Sequence, residues 1–274
     1  MFASIIGADG GMGQWLTTHL KRLGFDVTGF DQRRGDDPSV LGKSDLVVVS
    51  VPIGVTAEAI RKTVKHMKSG ACLMEIASLK SGIHEAMCEA VGLGFDVLCV
   101  HPMFGPSATS LEDKTVAVIP VSDIESEIHQ TQALFPDASI IQVEPESHDR
   151  LMSLILSLPY LVNLALAGTM RDEDLILLRK LSGTSFALQY TLIQSVTAET
   201  TSLVQALLSE NQFLGESASK FIMNLTEIMK TGGSKKEFSE LHNEIRASMR
   251  RDPIHLKAHS IRQVAYDKIR PLLR

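Results

Sequence analysis

One change of rhythm divides this chain. Up to about residue 146, short apolar runs alternate with helical patterns; beyond it only helical patterns remain. The runs FASIIG, DVTGFD, DLVVVSV, ACLMEIA, FDVLCVH and TVAVIPV are rich in Val and Ile and apolar on both faces, as buried parallel strands are. Between them, helical patterns cover Met12–Leu23, Thr56–Met67, Ile83–Val91 and Ile124–Leu134. Strand then helix, repeated, predicts an α/β fold: a Rossmann-type doubly wound sheet over residues 1–146. Longer helical patterns follow at Asp149–Met170, Asp172–Leu181, Phe186–Asn211, Gln212–Met229 and Lys235–Arg251, with breaks at Ser182-Gly183 and Thr231-Gly232-Gly233. Residues 147–274 are therefore expected to form a second, all-helical domain.

Composition narrows the class. For 274 residues, 44% hydrophobic and 22% charged with a net charge of -5 describes a globular chain, not a nucleic-acid or membrane surface. The basic stretch 246–274 has a single aromatic, Tyr266, among its charges and reads as a solvated helix or subunit contact. Cys72, Cys88 and Cys99 form no CxxC pair, so neither a metal site nor a disulfide framework is expected, and the thiols suit a reducing cytoplasm. MFASIIGADGG lacks the basic start and long apolar run of a signal peptide. LMSLILSLPYLVNLALAGTM is apolar around its circumference but carries Ser, Asn, Tyr and Pro. It is expected to be a fully buried core helix or one covered in a homodimer.

The turn after the first strand is Gly7-x-x-Gly10-x-x-Gly13, one residue longer than the common dinucleotide spacing. Gly7 suits the tight turn, Gly10 a close approach of backbone to pyrophosphate, and Gly13 the packing of helix on strand. Gly11 and Met12 open the helix, whose amides and positive dipole end favour an anion. Asp31, 24 residues after Gly7, ends the second strand and suits the ribose hydroxyls of NAD; a turn cap is its other reading. Arg33 and Arg34 could instead take a 2′-phosphate, which keeps NADP open. Val51 and Pro52, in SVPI, end the third strand at the cofactor edge.

HPMFGPS puts His101 at the carboxyl end of a strand, where open α/β sheets bind ligands, and locks it between turn residues. A rigid loop holding one group that titrates near neutrality suits a general base. EIASLKSG brings Ser78 and Lys80 to the same edge: Ser78 to bond substrate or His101, Lys80 to attract a carboxylate, or both to cap the next helix.

Together HPMFGPS, SVPI, EIASLKSG, the spaced glycine loop and ESHDRLMSLILSLPYLVNLAL resemble prephenate dehydrogenases, with arogenate dehydrogenases as close relatives. The resemblance implies NAD-dependent oxidative decarboxylation of prephenate to 4-hydroxyphenylpyruvate in tyrosine biosynthesis; the unpaired thiols and the apolar helix add the expectation of a cytoplasmic homodimer. It assigns the proton of the C4 hydroxyl to His101, with Ser78 orienting. Lys80, Ser107, His148 and Thr184 would contact the cyclic dicarboxylate substrate. One departure stands out. The arginine that grips a substrate carboxylate in the family aligns with Ser195, and no arginine lies between Lys180 and Lys220. Lys80, Arg150, Arg179, Arg246 and Arg250, some from a partner subunit, are candidates to replace it; Tyr160 stands where some relatives have a histidine. Arogenate or another ring acid, and a non-enzymatic dinucleotide-binding regulator, are the alternatives.

Overall fold

The computed structural model describes residues 1–31 and 34–273. Seven strands form one sheet: β1 (Phe2–Ile6), β2 (Asp26–Phe30), β3 (Leu46–Val49), β4 (Cys72–Glu75), β5 (Asp96–Pro102), β6 (Thr115–Val118) and β7 (Ser139–Gln142). Their order is β2-β1-β3-β4-β5-β6-β7. The five strands β2 to β5 of that order are parallel, β6 runs antiparallel to β5, and β7 is parallel to β6. Two features go beyond the sequence reading. β6 is antiparallel because the chain returns from β5 through residues 103–114 as a hairpin-type loop, with no crossover helix. β7 is a four-residue edge strand, mostly exposed, so it lacks the apolar run that marks the others.

Helices cover both faces. α1 (Gly11–Arg22) and α4 (Ile124–Leu134) set Leu16, Leu20 and Leu134 against Ile5, Val48 and Val100. α2 (Ile53–Thr63) and α3 (Ile83–Gly92) set Ile60, Ile83 and Met87 against Val47, Leu73 and Cys99. Each such side chain contributes roughly 1.5–3 kcal/mol of transfer free energy. These layers hold the carboxyl ends of β1, β3, β4 and β5 as one rigid edge.

By its contacts the chain divides into two compact units, Met1–Met152 with Gln205–Gln212, and Ser153–Val204 with Phe213–Arg274. The first unit thus includes α5 (Pro145–Met152), so His148 and Asp149 pack with the sheet, although the expected boundary puts them with the helices. The second unit is all helical: a π-helical turn at Ser153–Ser157, α6 (Leu158–Met170), α7 (Leu175–Leu181), α8 (Thr184–Ala198), α10 (Leu214–Thr231), α11 (Lys235–Met249) and α12 (Ala258–Ile269); α9 (Thr201–Ser209) straddles the division.

Two single helices of the sequence reading are interrupted. Pro159 has no N–H for the carbonyl of Ile155, and the wide turn at Ser153–Ser157 absorbs the lost bond. α8 stops where Glu199 turns extended, and the Thr200 hydroxyl accepts from the Leu203 amide to start α9. The expected full burial of α6 is also corrected. Within the single chain only Asn163 of α6 is buried, and Leu154, Ile155 and Leu166 are exposed. The segment Pro145–Met170 holds an 18-residue stretch of mean hydropathy 1.8 and is long and apolar enough to cross a membrane by length and composition. Its first turns carry the buried His148 and Asp149.

Candidate active site

The glycine turn is a cradle that side chains would fill. Gly7 has φ +82°, and a Cβ there would lie 2.3 Å from the Ser50 carbonyl oxygen; a Cβ at Gly13 would lie 2.2 Å from that of Gly7. The Val51 side chain closes over Gly7, and Pro52 caps α2. Gly10 stands at the N-cap of α1, which has no capping side chain and no acidic residue in its first turn. Gly11 is exposed and Met12 half-buried at that end. The first-turn amides therefore remain for an anionic group, and the residues present fit a dinucleotide pyrophosphate. Asp31 is buried directly after β2, and its amide donates to Asp36. Arg34 donates to Asp9 at 2.7 Å, to Asp36 at 2.7 Å and to the Gly29 carbonyl at 3.1 Å. Its guanidinium is already engaged by two carboxylates. Arg33 lies outside the described residues.

At the end of β5 the structure builds a chain of three side chains. His101 Nδ1 lies 3.2 Å from His148 Nε2, and His148 Nδ1 lies 2.7 Å from Asp149 Oδ1. All three are buried, His148 completely. Asp149 is held from four directions: Oδ1 also accepts from the Lys80 amide, and Oδ2 accepts from the Ser81 amide and hydroxyl. Burial alone would raise its carboxyl, but the bonds from His148, Ser81 and the Lys80 amide outweigh this and bring it down to about 2. An ionised Asp149 only accepts, so it fixes the proton of His148 on Nδ1. With both rings neutral, His148 Nε2 must accept, His101 Nδ1 must donate, and His101 Nε2 is left bare. This tautomer follows from the hydrogen-bond network. Burial first, then the Lys80 ammonium and His148, hold the His101 imidazole well below its ordinary range, and Asp149 acts in the opposite sense. His101 is therefore a neutral acceptor on a rigid edge.

Lys80 corrects an expectation. It is 2% exposed, and its ammonium is ion-paired with the fully buried Glu75 and donates to the Val100 carbonyl at 2.7 Å. It does not reach out for a carboxylate, because a buried ammonium is stable only when paired. Glu75 also accepts from the Ala77 amide and from the Cys99 thiol. Burial first, with Glu75 next, pushes the Cys99 thiol well up, and burial raises Cys72 to about 12. His148 corrects another expectation: it lies behind His101 and lines no open surface.

The remaining assigned residues scatter. Ser78 is half-buried in the loop after β4 and, among the described residues, makes no bond to His101, whose Nδ1 faces His148. Ser107 is exposed and lines a 280 Å³ pocket with Thr109, Ser110 and Lys114. Thr184 opens α8 in the second unit. Ser195 is exposed and bonds its own helix at the Leu192 carbonyl. Arg150, Arg246 and Arg250 are exposed, and Arg179 and Tyr160 are half-buried. Sequence reasoning gave no role to Asp149, Ser81 or Glu75. A signal for Glu75 existed: it is a lone charge inside the apolar run ACLMEIA.

A mostly parallel sheet with a side-chain-free glycine turn, an uncapped helix start and a buried carboxylate after the second strand defines a dinucleotide-binding protein of Rossmann type. Comparison carries this to a family. Residues 20–136 match the nucleotide-binding domain of prephenate dehydrogenase, and residues 144–246 its dimerization domain. The chain belongs to the prephenate dehydrogenase family. The first match begins after the glycine turn, so the turn is independent support. A probable arogenate/prephenate dehydrogenase of Methanocaldococcus jannaschii is 32% identical over 265 residues, 87% of this chain and 56% of that protein. The chain spans about half the length of the curated relatives it matches. Among solved structures, prephenate dehydrogenase from Aquifex aeolicus, in complex with hydroxyphenyl propionate and NAD+, superposes with TM-score 0.70 at 18% identity, over 92% of this chain and 98% of that one. Synechocystis arogenate dehydrogenase gives 0.67 at 22%, over 90% and 97%. At these identities the superpositions establish the fold.

Proposed function

We propose that the chain is an NAD-dependent dehydrogenase that oxidatively decarboxylates prephenate to 4-hydroxyphenylpyruvate, a step of tyrosine biosynthesis, in the cytoplasm. The observation that carries this reading is His101, held as a neutral acceptor with a bare Nε2 at the carboxyl end of β5. When bound, the nicotinamide supplies the acceptor for the C4 hydride. His101 Nε2 accepts the proton of the C4 hydroxyl as that carbon becomes carbonyl-like, a contribution of typically about 10²–10⁴-fold. Asp149 and His148 keep the ring in the tautomer that does this. Ser78, at the same edge, orients the hydroxyl. NAD is favoured over NADP because Arg34 is engaged by Asp9 and Asp36, and a 2′-phosphate would meet both carboxylates.

Arogenate is the second reading. The position of the expected arginine is Ser195, whose hydroxyl bonds its own helix, and Lys80 is sealed in an ion pair. A substrate carrying an ammonium in place of a carbonyl needs less cationic grip. Measured kcat/KM for prephenate and arogenate, with the product identified, separates the two; binding of NAD without turnover of either ring acid would point to a dinucleotide-binding regulator.

The exposed apolar residues of the helical unit, together with the match to a dimerization domain, support a homodimer.

A further inference from the structure

We propose that the proton taken up at His101 comes to rest on His148, so that the second histidine is the proton store of the reaction and Asp149 its fixed counter-charge. This rests on the reading of His101 as the acceptor of the hydroxyl proton. The geometry is a wire: 3.2 Å between the rings and 2.7 Å from His148 to Asp149, with ring centroids 5.3 Å apart. His148 is fully enclosed, and its two ring nitrogens face Asp149 and His101. Among the described residues, a proton reaches it through His101.

The charges around the pair decide where a positive charge is tolerated. The groups facing His101 are the Lys80 ammonium, from the loop after β4, and His148 and Asp149, from α5; Glu75 of β4 lies behind Lys80 as its partner. Lys80 bonds the carbonyl of Val100, the residue next to His101, so a cation on His101 would form beside another cation. A cation on His148 would form 2.7 Å from a carboxylate that also holds three other donors. Burial and the Lys80 charge disfavour the protonated form of His101 in the same sense.

The step balances as a proton transfer alone. The substrate O–H bond breaks and an N–H bond forms at His101 Nε2. The N–H bond at His101 Nδ1 breaks and one forms at His148 Nε2. His101 ends neutral in its other tautomer, and His148 ends as an imidazolium with N–H on both nitrogens. After product leaves, the proton returns by the same route to water at His101 Nε2.

Nitrogen-15 NMR of the histidine-labelled full chain tests this without turnover. On acidification we expect His101 to switch from the Nδ1–H to the Nε2–H tautomer while His148 becomes the imidazolium; a His101 imidazolium beside a neutral His148 would overturn the proposal. Kinetics form the second arm. His148→Gln keeps an acceptor facing His101 but stores no proton. We expect kcat to fall by about 10²-fold with substrate KM and NAD affinity little changed, and a solvent isotope dependence that loses one of its two protons in flight. Wild-type turnover with an unchanged pH profile in His148→Gln would overturn the relay and leave the assigned reaction standing. A wild-type chain inert toward ring acids would overturn the reaction, while the NMR titration would still decide the relay.

Discussion

Removing the Lys80 ammonium leaves Glu75 as a bare charge with no exposed surface. Lys80→Met is therefore expected to cost roughly 3–5 kcal/mol in denaturant unfolding, and Glu75→Gln/Lys80→Met to recover most of that loss. Equal loss in single and double variants would contradict the pairing. Asp149 sets a second test. Its folded value of about 2 lies below the ordinary 3.8, so the unfolded chain takes the proton first. The resulting stability, on the order of 2 kcal/mol, is fully present above pH 3.8 and is lost as pH falls through about 2. Asp149→Asn is expected to flatten that part of the stability curve. For activity, His101 itself is held well below its ordinary range, so its own protonation is expected to give no acid limb of kcat/KM near 6.5; a scan from about pH 4 to about pH 8 checks this. His101 itself was legible because a histidine between turn residues at a strand end is conspicuous. Asp149 was not, because its partners Lys80 and Ser81 lie 68 residues or more away in sequence. The Lys80 misassignment has the same origin: exposure cannot be read from residue type when the pairing carboxylate sits inside a strand.

Among the elements, the junction of β1 and α1 is the least tolerant of change. Gly13→Ala would drive a Cβ to 2.2 Å from the Gly7 carbonyl oxygen, a backbone atom that cannot yield like a side chain. We expect roughly 1–3 kcal/mol of destabilisation and a marked loss of NAD affinity by calorimetry; unchanged affinity would contradict the cradle. The glycine spacing made this junction readable, as the Val-rich runs did for the central strands. The edge strand β7 escaped because four half-solvated residues carry no apolar run. The π-helical turn escaped because hydropathy period does not report a missing N–H; Pro159 alone was the clue. The break between α8 and α9 rests on one extended residue, Glu199, which no strong breaker marks.

Taken as a whole molecule, the chain leaves apolar surface that one copy does not cover. On α10, Ile222, Leu225 and Met229 are exposed at helical spacing, and Leu154, Ile155 and Leu166 are exposed earlier in the same unit. We expect a homodimer by light scattering at micromolar concentration, and Ile222→Glu/Met229→Glu to yield monomer; a wild-type monomer would contradict this. The two-part organisation was readable because strand and helix periods differ so plainly. Their boundary was less so, since α5 continues the helical rhythm while its His148 and Asp149 bond the sheet edge. The most direct test of the central claim follows NADH absorbance with NAD and prephenate for the wild type and His101→Asn. We expect rapid growth with 4-hydroxyphenylpyruvate formed in the wild type, and loss of turnover in a folded variant that still binds NAD. Turnover undiminished in His101→Asn would contradict it.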